Sequence, residues 1–184
     1  LHISMQSGSD SVLRRMRRRW GRKRFIDRCG LVKERLDRPA ITTDIIVGFP
    51  GETDAEFQET IEVSRMVGFS KIHIFPFSAR RGTPAATMTN QVPKQIQQER
   101  CRALASVEAE LREEYYRSLL GMKLRVLVEA EDVGSGMHGA GGWSGTACRY
   151  ATIAVDASPT EEGQFIDVVA NEMCGDRILS ERII

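Results

Sequence analysis

The chain has 184 residues, 41% of them hydrophobic and 28% charged, with a net charge of +1 at pH 7. This composition excludes disordered and collagen-like material and leaves room for one medium domain, or a moderate one with a small appendage. No apolar run approaches the roughly 20 residues of a membrane helix, and the first residues lack the basic stub and apolar core of a signal peptide, so a cytoplasmic location is expected.

Leu1 to Met5 reads as a short strand that ends in the polar loop Gln6-Ser7-Gly8-Ser9-Asp10. Ser9 or Asp10 is placed to cap a short helix through Met16. Arg14 to Arg24, RRMRRRWGRKR, carries eight basic residues in eleven, so the local field is strongly positive although the whole chain is nearly neutral. Gly21 resets the helix. A second one follows to about Leu36, with Phe25, Cys29, Val32 and Leu36 spaced as one buried stripe.

The organising stretch is Ile41 to Thr53, ITTDIIVGFPGET. Ile45, Ile46 and Val47 form the β-branched run of a strand buried on both faces. The glycines and proline that follow make a tight loop, and Thr53 with Glu56 three places on is a capping box that opens the next helix. Ligands in parallel α/β folds sit where strands end and helices begin, so this loop is the first candidate for a site. Asp44, Ile46 and Gly48 alternate and share one face. Asp44 within so apolar a strand implies a hydrogen-bonding partner.

Phe57, Ile61 and Val67 mark the core face of the next helix, which stops at Gly68. Lys71 to Phe77 reads as another strand. The order β, α, β, α, β is that of a parallel sheet with right-handed crossovers. Three strands neither close a barrel nor shield both sheet edges, so further strands are expected before Leu1. Ser78 to Asn90 is irregular. From Pro93, the residues Ile96, Leu104, Val107, Leu111, Tyr115 and Leu119 keep helical spacing until Gly121, which makes 91–120 a connecting helix. Residues 121–184 then change character. KLRVLVE from Lys123, GTACRYATIAV from Gly145, QFIDVVA from Gln164 and RILSERII from Arg177 supply four or five short strands, the pattern of a small OB-like barrel.

The four cysteines, Cys29, Cys101, Cys148 and Cys174, stand singly, without CxxC or CxxxCxxC spacing, so no metal ligands are expected in this chain. GFPGET lacks the Walker lysine and the dinucleotide spacing. Ser78, His73 and Asp44 lack the context of a nucleophile elbow, which argues against a hydrolase.

Four motifs in order carry a resemblance to a known family: HISMQSGSDSVLRRMRR, TTDIIVGFPGETDAEF, HIFPFSARRGTPAATM with its following QVP, and the C-terminal segment. The chain resembles the radical S-adenosylmethionine (SAM) methylthiotransferases. HIFPFS leans toward the branch that acts on threonylcarbamoyladenosine rather than isopentenyladenosine. The resemblance implies that residues 1–90 are the C-terminal part of an open (β/α) radical SAM barrel and that residues 121–184 are an RNA-binding TRAM domain.

It further implies methylthiolation of an adenosine beside the tRNA anticodon, at position 37. A SAM-derived radical abstracts hydrogen, an auxiliary site gives sulfur and a second SAM gives the methyl group. Two 4Fe-4S clusters and an electron donor to reduce them are implied, with cluster ligands outside this chain, so the chain is not expected to turn over alone.

Gln6 and Ser7 are suited to hydrogen-bond a ribose or carboxylate of SAM. Asp44, Ile46 and Gly48 are expected along its adenine, and Phe77 and Ser78 at the adenine edge. Arginine with an interleaved aromatic is what tRNA phosphates and splayed bases reward. That points to Arg14, Arg17, Arg18 and Trp20, to Arg80 beside Arg81, and to Lys123, Arg125 and Arg149 near Trp143 and Tyr150. The alternatives are the same reaction on isopentenyladenosine tRNA or on a ribosomal-protein aspartate, and a non-catalytic RNA-binding module.

Overall fold

A computed structural model describes residues 1–131 and 142–183. The chain divides into two compact units, Leu1–Arg112 and Glu113–Ile184. Most of the glycine-rich 134 to 142 loop lies outside the described residues.

In the first unit, α1 (Asp10–Arg15) and α2 (Arg22–Arg35) precede β1 (Thr42–Val47), and α3 (Asp54–Val67) leads to β2 (Lys71–Pro76). β1 and β2 pair in parallel from Thr42 opposite Lys71 to Val47 opposite Pro76. The Leu1–Gln6 stretch runs parallel along the other edge of β1, but it touches as two isolated bridges, His2 to Thr42 and Gln6 to Ile45, rather than as a continuous strand. Two local features break the ladder. The Met5 N–H donates to the Thr43 side chain at 2.8 Å, and Gln6 takes a left-handed φ of 70°.

Burial alternates strictly along β1. Thr43, Ile45 and Val47 are buried, and Thr42, Asp44 and Ile46 are partly open, so the buried set packs under the helices while the other face stays accessible. Ile41, Ile45, Val47, Phe69 and Ile72 form a core with Phe25 and Cys29 of α2 and with Ile61, Val63 and Val67 of α3. The expected stripe of α2 holds at Phe25 and Cys29 and fails at Leu36, the helix's C-cap, which is exposed.

Gly21 opens α2 without a side-chain cap. The orphan N–H of Arg22 is taken instead by Asp10, whose Oδ1 accepts it at 2.7 Å from across the α1–α2 turn. A Cβ on residue 21 would lie 2.6 Å from that oxygen, so glycine and aspartate act together. α3 has the expected capping box between Thr53 and Glu56 and ends at Gly68 with φ 61°.

α4 (Lys94–Ser118) carries Leu104, Val107 and Leu111 in the first core and Tyr116 in the second, where Leu119 follows it. The second unit is a closed barrel of β3 (Lys123–Glu131), β4 (Trp143–Ala147), β5 (Thr152–Val155), β6 (Phe165–Cys174) and β7 (Arg177–Arg182) in the order β3-β4-β5-β7-β6. All neighbours are antiparallel except β5 with β7. The stretch from Gly145 to Val155, which alone reads as one strand, is the end of β4, a turn with Tyr150 at φ 58°, and β5. Gly145 is required in β4 because a Cβ there would meet the Leu127 carbonyl at 2.1 Å.

Replacing Asp10 with alanine should lower the unfolding free energy by about 1 kcal/mol, the typical worth of a helix N-terminal acceptor. A urea titration should show an earlier midpoint with an unchanged slope; an unchanged midpoint would mean that solvent satisfies Arg22 equally well.

Candidate functional site

At the C-terminal ends of the Leu1–Gln6 stretch and β1 lies a cavity of about 340 Å³. Its floor is Ile46 and Phe49, one wall is the end of α1 from Arg15 to Arg18, and the other is the turn carrying Thr83, Pro84, Ala85 and Met88. Gln6 stands between them. Its backbone is fully engaged with β1, donating to Asp44 O at 2.8 Å and accepting from Ile46 N at 2.9 Å. Its side-chain amide, on a residue only 8% exposed, makes no hydrogen bond among the described residues and keeps contact with solvent. Gln6 and Arg17 are both held at positive φ, 70° and 57°, conformations that non-glycine residues enter at a cost.

The loop beneath the cavity is clamped by its own polar groups. Glu52, 5% exposed, accepts the Gly48 N–H at 2.7 Å and the Arg100 Nη1–H at 2.9 Å. Arg100 also donates to the Glu52 carbonyl at 3.1 Å and to Asp54 at 2.7 Å, and its guanidinium lies 5.6 Å from the centre of the Phe57 ring. Burial pushes the Glu52 carboxyl above the usual range, against the opposing pull of the Gly48 N–H and Arg100. Beside it, Arg15 grips Glu56 with both guanidinium nitrogens, at 3.0 and 2.7 Å, and holds Gly51 O at 3.2 Å. The Arg15 hydrogen bonds, with those from Ser11 and the Thr53 N–H, outweigh burial and bring Glu56 down to about 2.

Several expected ligand groups are engaged elsewhere. Ser7 is fully buried, with its hydroxyl 3.3 Å from Thr60 Oγ1 and accepting the Ser9 N–H, so it shapes the loop instead of lining the cavity. The close approach that Gly48 permits is made by Gln97: a Cβ there would lie 2.4 Å from Gln97 Cγ, and φ is 76°. Phe77 donates its N–H to Val47 O at 2.8 Å and sets its ring edge-on against Phe49, with centroids 5.3 Å apart. It therefore supports the cavity floor from behind, while Ser78 is exposed and outside the lining. Asp44 has the partners its setting demands, His2 Nε2 at 3.2 Å and Ser4 Oγ at 3.3 Å.

Among the basic residues, Arg14 is exposed and bonds back to Asp10 O, Arg17 and Arg18 are exposed at the cavity wall, and Arg80 is exposed in the following turn. Trp20 is stacked on Phe25 at 5.5 Å and partly buried against the core. In the barrel, Lys123 and Arg125 are exposed, Arg125 pairs with Asp167 at 3.1 Å, and the Arg149 carbonyl accepts the Tyr115 hydroxyl. Tyr150 is 72% exposed, whereas Trp143 is buried in the barrel core and cannot face RNA.

Sequence reading missed Phe49, Arg15, Glu52 and Arg100. Arg100 had a signal, since it occupies a core position in the stripe Ile96, Arg100, Leu104, where only a paired charge is tolerated. The cysteines are free and dispersed, and burial lifts the Cys29 thiol to about 11 and raises Cys101.

Residues 1–63 match the family model of the Radical SAM superfamily. The nearer relatives have narrower names. The chain is 47% identical over 131 residues to a tRNA-2-methylthio-N(6)-dimethylallyladenosine synthase of Corynebacterium jeikeium, across 71% of this chain and 26% of that protein. It is 46% identical over 128 residues to the same-named protein of Nocardia farcinica, across 70% and 25%. It is 45% identical over 128 residues to the threonylcarbamoyladenosine tRNA methylthiotransferase MtaB of Chlamydia pneumoniae, across 70% and 30%. The chain is similar to these proteins over about 70% of its own length, and the matched part spans 25% to 30% of theirs.

Glu56 gives a pH prediction. Its folded pKa lies below the ordinary carboxylate value, so its stabilisation is complete above pH 4.5 and is lost as pH falls toward 2. Glu56→Gln should lower the urea midpoint at pH 6 and shrink the loss between pH 5 and about 2.5. An acid limb as steep as that of the unaltered chain would refute the assignment.

Proposed function

We propose that the chain is the SAM-contacting end of a radical SAM barrel, joined to a TRAM-like, OB-like RNA-binding barrel, in an enzyme that methylthiolates adenosine 37 of tRNA. The observation that carries the reading is Gln6, whose unpartnered amide stands over an apolar floor at the carboxyl ends of parallel strands. A SAM molecule suits that lining. Ile46 and Phe49 offer flat apolar surface to an adenine, Gln6 offers a donor and an acceptor to its ribose or carboxylate, and Arg17 and Arg18 supply positive charge for the carboxylate. Asp44 lies two residues from Ile46 on the same face. When bound and reduced by an iron–sulfur cluster, SAM supplies a hydrogen-abstracting radical. This chain's residues bind and orient it. The two clusters take ligands from outside the chain, as the dispersed cysteines require.

For RNA, each unit offers basic groups of its own: the exposed Arg14, Arg17, Arg18 and Arg80 in the first, and Lys123, Arg125 and Arg149 in the barrel, with Tyr150 as a candidate stacking group. Trp20 contributes through its remaining exposed edge. We assign threonylcarbamoyladenosine as the substrate, on the strength of HIFPFS and of the MtaB relative. Isopentenyladenosine is the second reading, favoured by the printed names of the relatives from Corynebacterium and Nocardia.

Nucleoside mass spectrometry of tRNA from a strain lacking the gene tests the reaction and the substrate together. The 2-methylthio form of threonylcarbamoyladenosine should vanish; loss of the isopentenyl form instead would transfer the assignment, and loss of neither would sink it.

The cavity is tested separately by calorimetry with SAM. Gln6→Ala should weaken binding about two- to tenfold, the worth of one neutral hydrogen bond. Unchanged binding would exclude the cavity.

A further inference from the structure

Three side chains outside the cavity lining converge on the accessible face of the sheet. His2 stands opposite Thr42, Asp44 lies on β1, and His73 is directly opposite Asp44 on β2, so three adjacent parallel segments each contribute one group. One ligand atom from each lies within 4.8 Å of the others. The two imidazole rings are 6.0 Å apart between centroids.

The surroundings orient this set. Thr42 Oγ1 lies 3.0 Å from His2 Nδ1 and engages that nitrogen, which leaves Nε2 turned toward Ser4 Oγ at 3.0 Å and Asp44 Oδ2 at 3.2 Å. Ser4 Oγ donates to the same carboxylate oxygen at 3.3 Å. An imidazole whose far nitrogen is held by a neighbouring oxygen, beside a carboxylate that is itself hydrogen-bonded, is the arrangement that fixes histidine ligands around a metal. Two nitrogens and one oxygen suit zinc or iron(II), whereas magnesium and calcium take oxygen ligands. Side-chain rotation within this cluster can bring the donors to the spacing of about 3.3 Å that bonds of about 2.0 Å at tetrahedral angles require.

We propose that His2, Asp44 and His73 form a three-ligand site for a divalent transition metal ion of the zinc class, with its remaining coordination positions open on the accessible face of the sheet. Because the three ligands come from segments about 30 to 40 residues apart, no local spacing in the sequence announces them.

Cobalt(II) is the probe, followed by competition with zinc(II), on the chain in the absence of SAM and RNA. One equivalent should give visible d–d bands without a thiolate charge-transfer band, and zinc should displace it. His73→Ala and Asp44→Asn should abolish the bands. Thr42→Val should weaken zinc about 10- to 100-fold, as loss of a supporting partner does. His73 is exposed, so His73→Ala is the variant expected to keep its fold, and far-ultraviolet circular dichroism checks this. Equal cobalt binding by the unaltered chain and His73→Ala, or bands of thiolate type only, would overturn the proposal. SAM calorimetry on the same His73→Ala sample reads the cavity independently, so failure of one assignment is distinguishable from failure of the other.

Discussion

Arg100 reaches from α4 to the loop after β1 and meets Glu52 there, with both side chains withdrawn from water. Glu52 in turn holds the Gly48 N–H, and Arg100 holds the loop's own carbonyl and the first residue of α3. Isolated charges cannot be buried at this depth, and removing one partner of such a pair typically costs about 3–5 kcal/mol because the other is left uncompensated. The pair therefore acts less as a source of stability than as a specification. It permits one path for Gly48 to Asp54, and that path sets the height of Phe49 under the cavity and the starting direction of α3. Arg15 and Glu56 repeat the device on the neighbouring side, tying the end of α1 to the same loop through Gly51.

Much of the fold was legible because it is local. The strand of β-branched residues, the Thr53–Glu56 capping box, Gly68 and Gly121 as helix stops and the period-two pattern from Lys123 all follow from side chains acting on their immediate neighbours. What failed was long-range. Leu1–Met5 has strand-like residues, but the Thr43 hydroxyl takes an N–H from its ladder and Gln6 turns away. Gly145–Val155 has continuous strand character, and the chain nevertheless reverses inside it at Tyr150. Gly21 offers α2 no side-chain cap, and Asp10, eleven residues earlier in sequence, supplies the missing acceptor.

The site shows the same division. Sequence placed Gln6 and Ile46 toward the strand ends, where the structure has the cavity. It could not tell which hydroxyls and glycines the protein keeps for itself, because that depends on which distant residue fills the space. Ser7 belongs to Thr60, Gly48 to Gln97 and the Phe77 N–H to Val47. Trp143 looked equivalent to Tyr150 as an aromatic near basic residues, and only closure of the barrel separates the buried ring from the exposed one.

Gln6 and Arg17 were noted for their left-handed backbones, each a conformation that costs an L-residue about 1–2 kcal/mol relative to glycine. Both stand at the cavity, and glycine at either position would relax the chain. Selection for thermal robustness alone would accordingly drift toward glycine there and strip the cavity of two of its polar groups. Under the proposed reading of the cavity, a glutamine and an arginine at these positions set ligand contact against backbone stability.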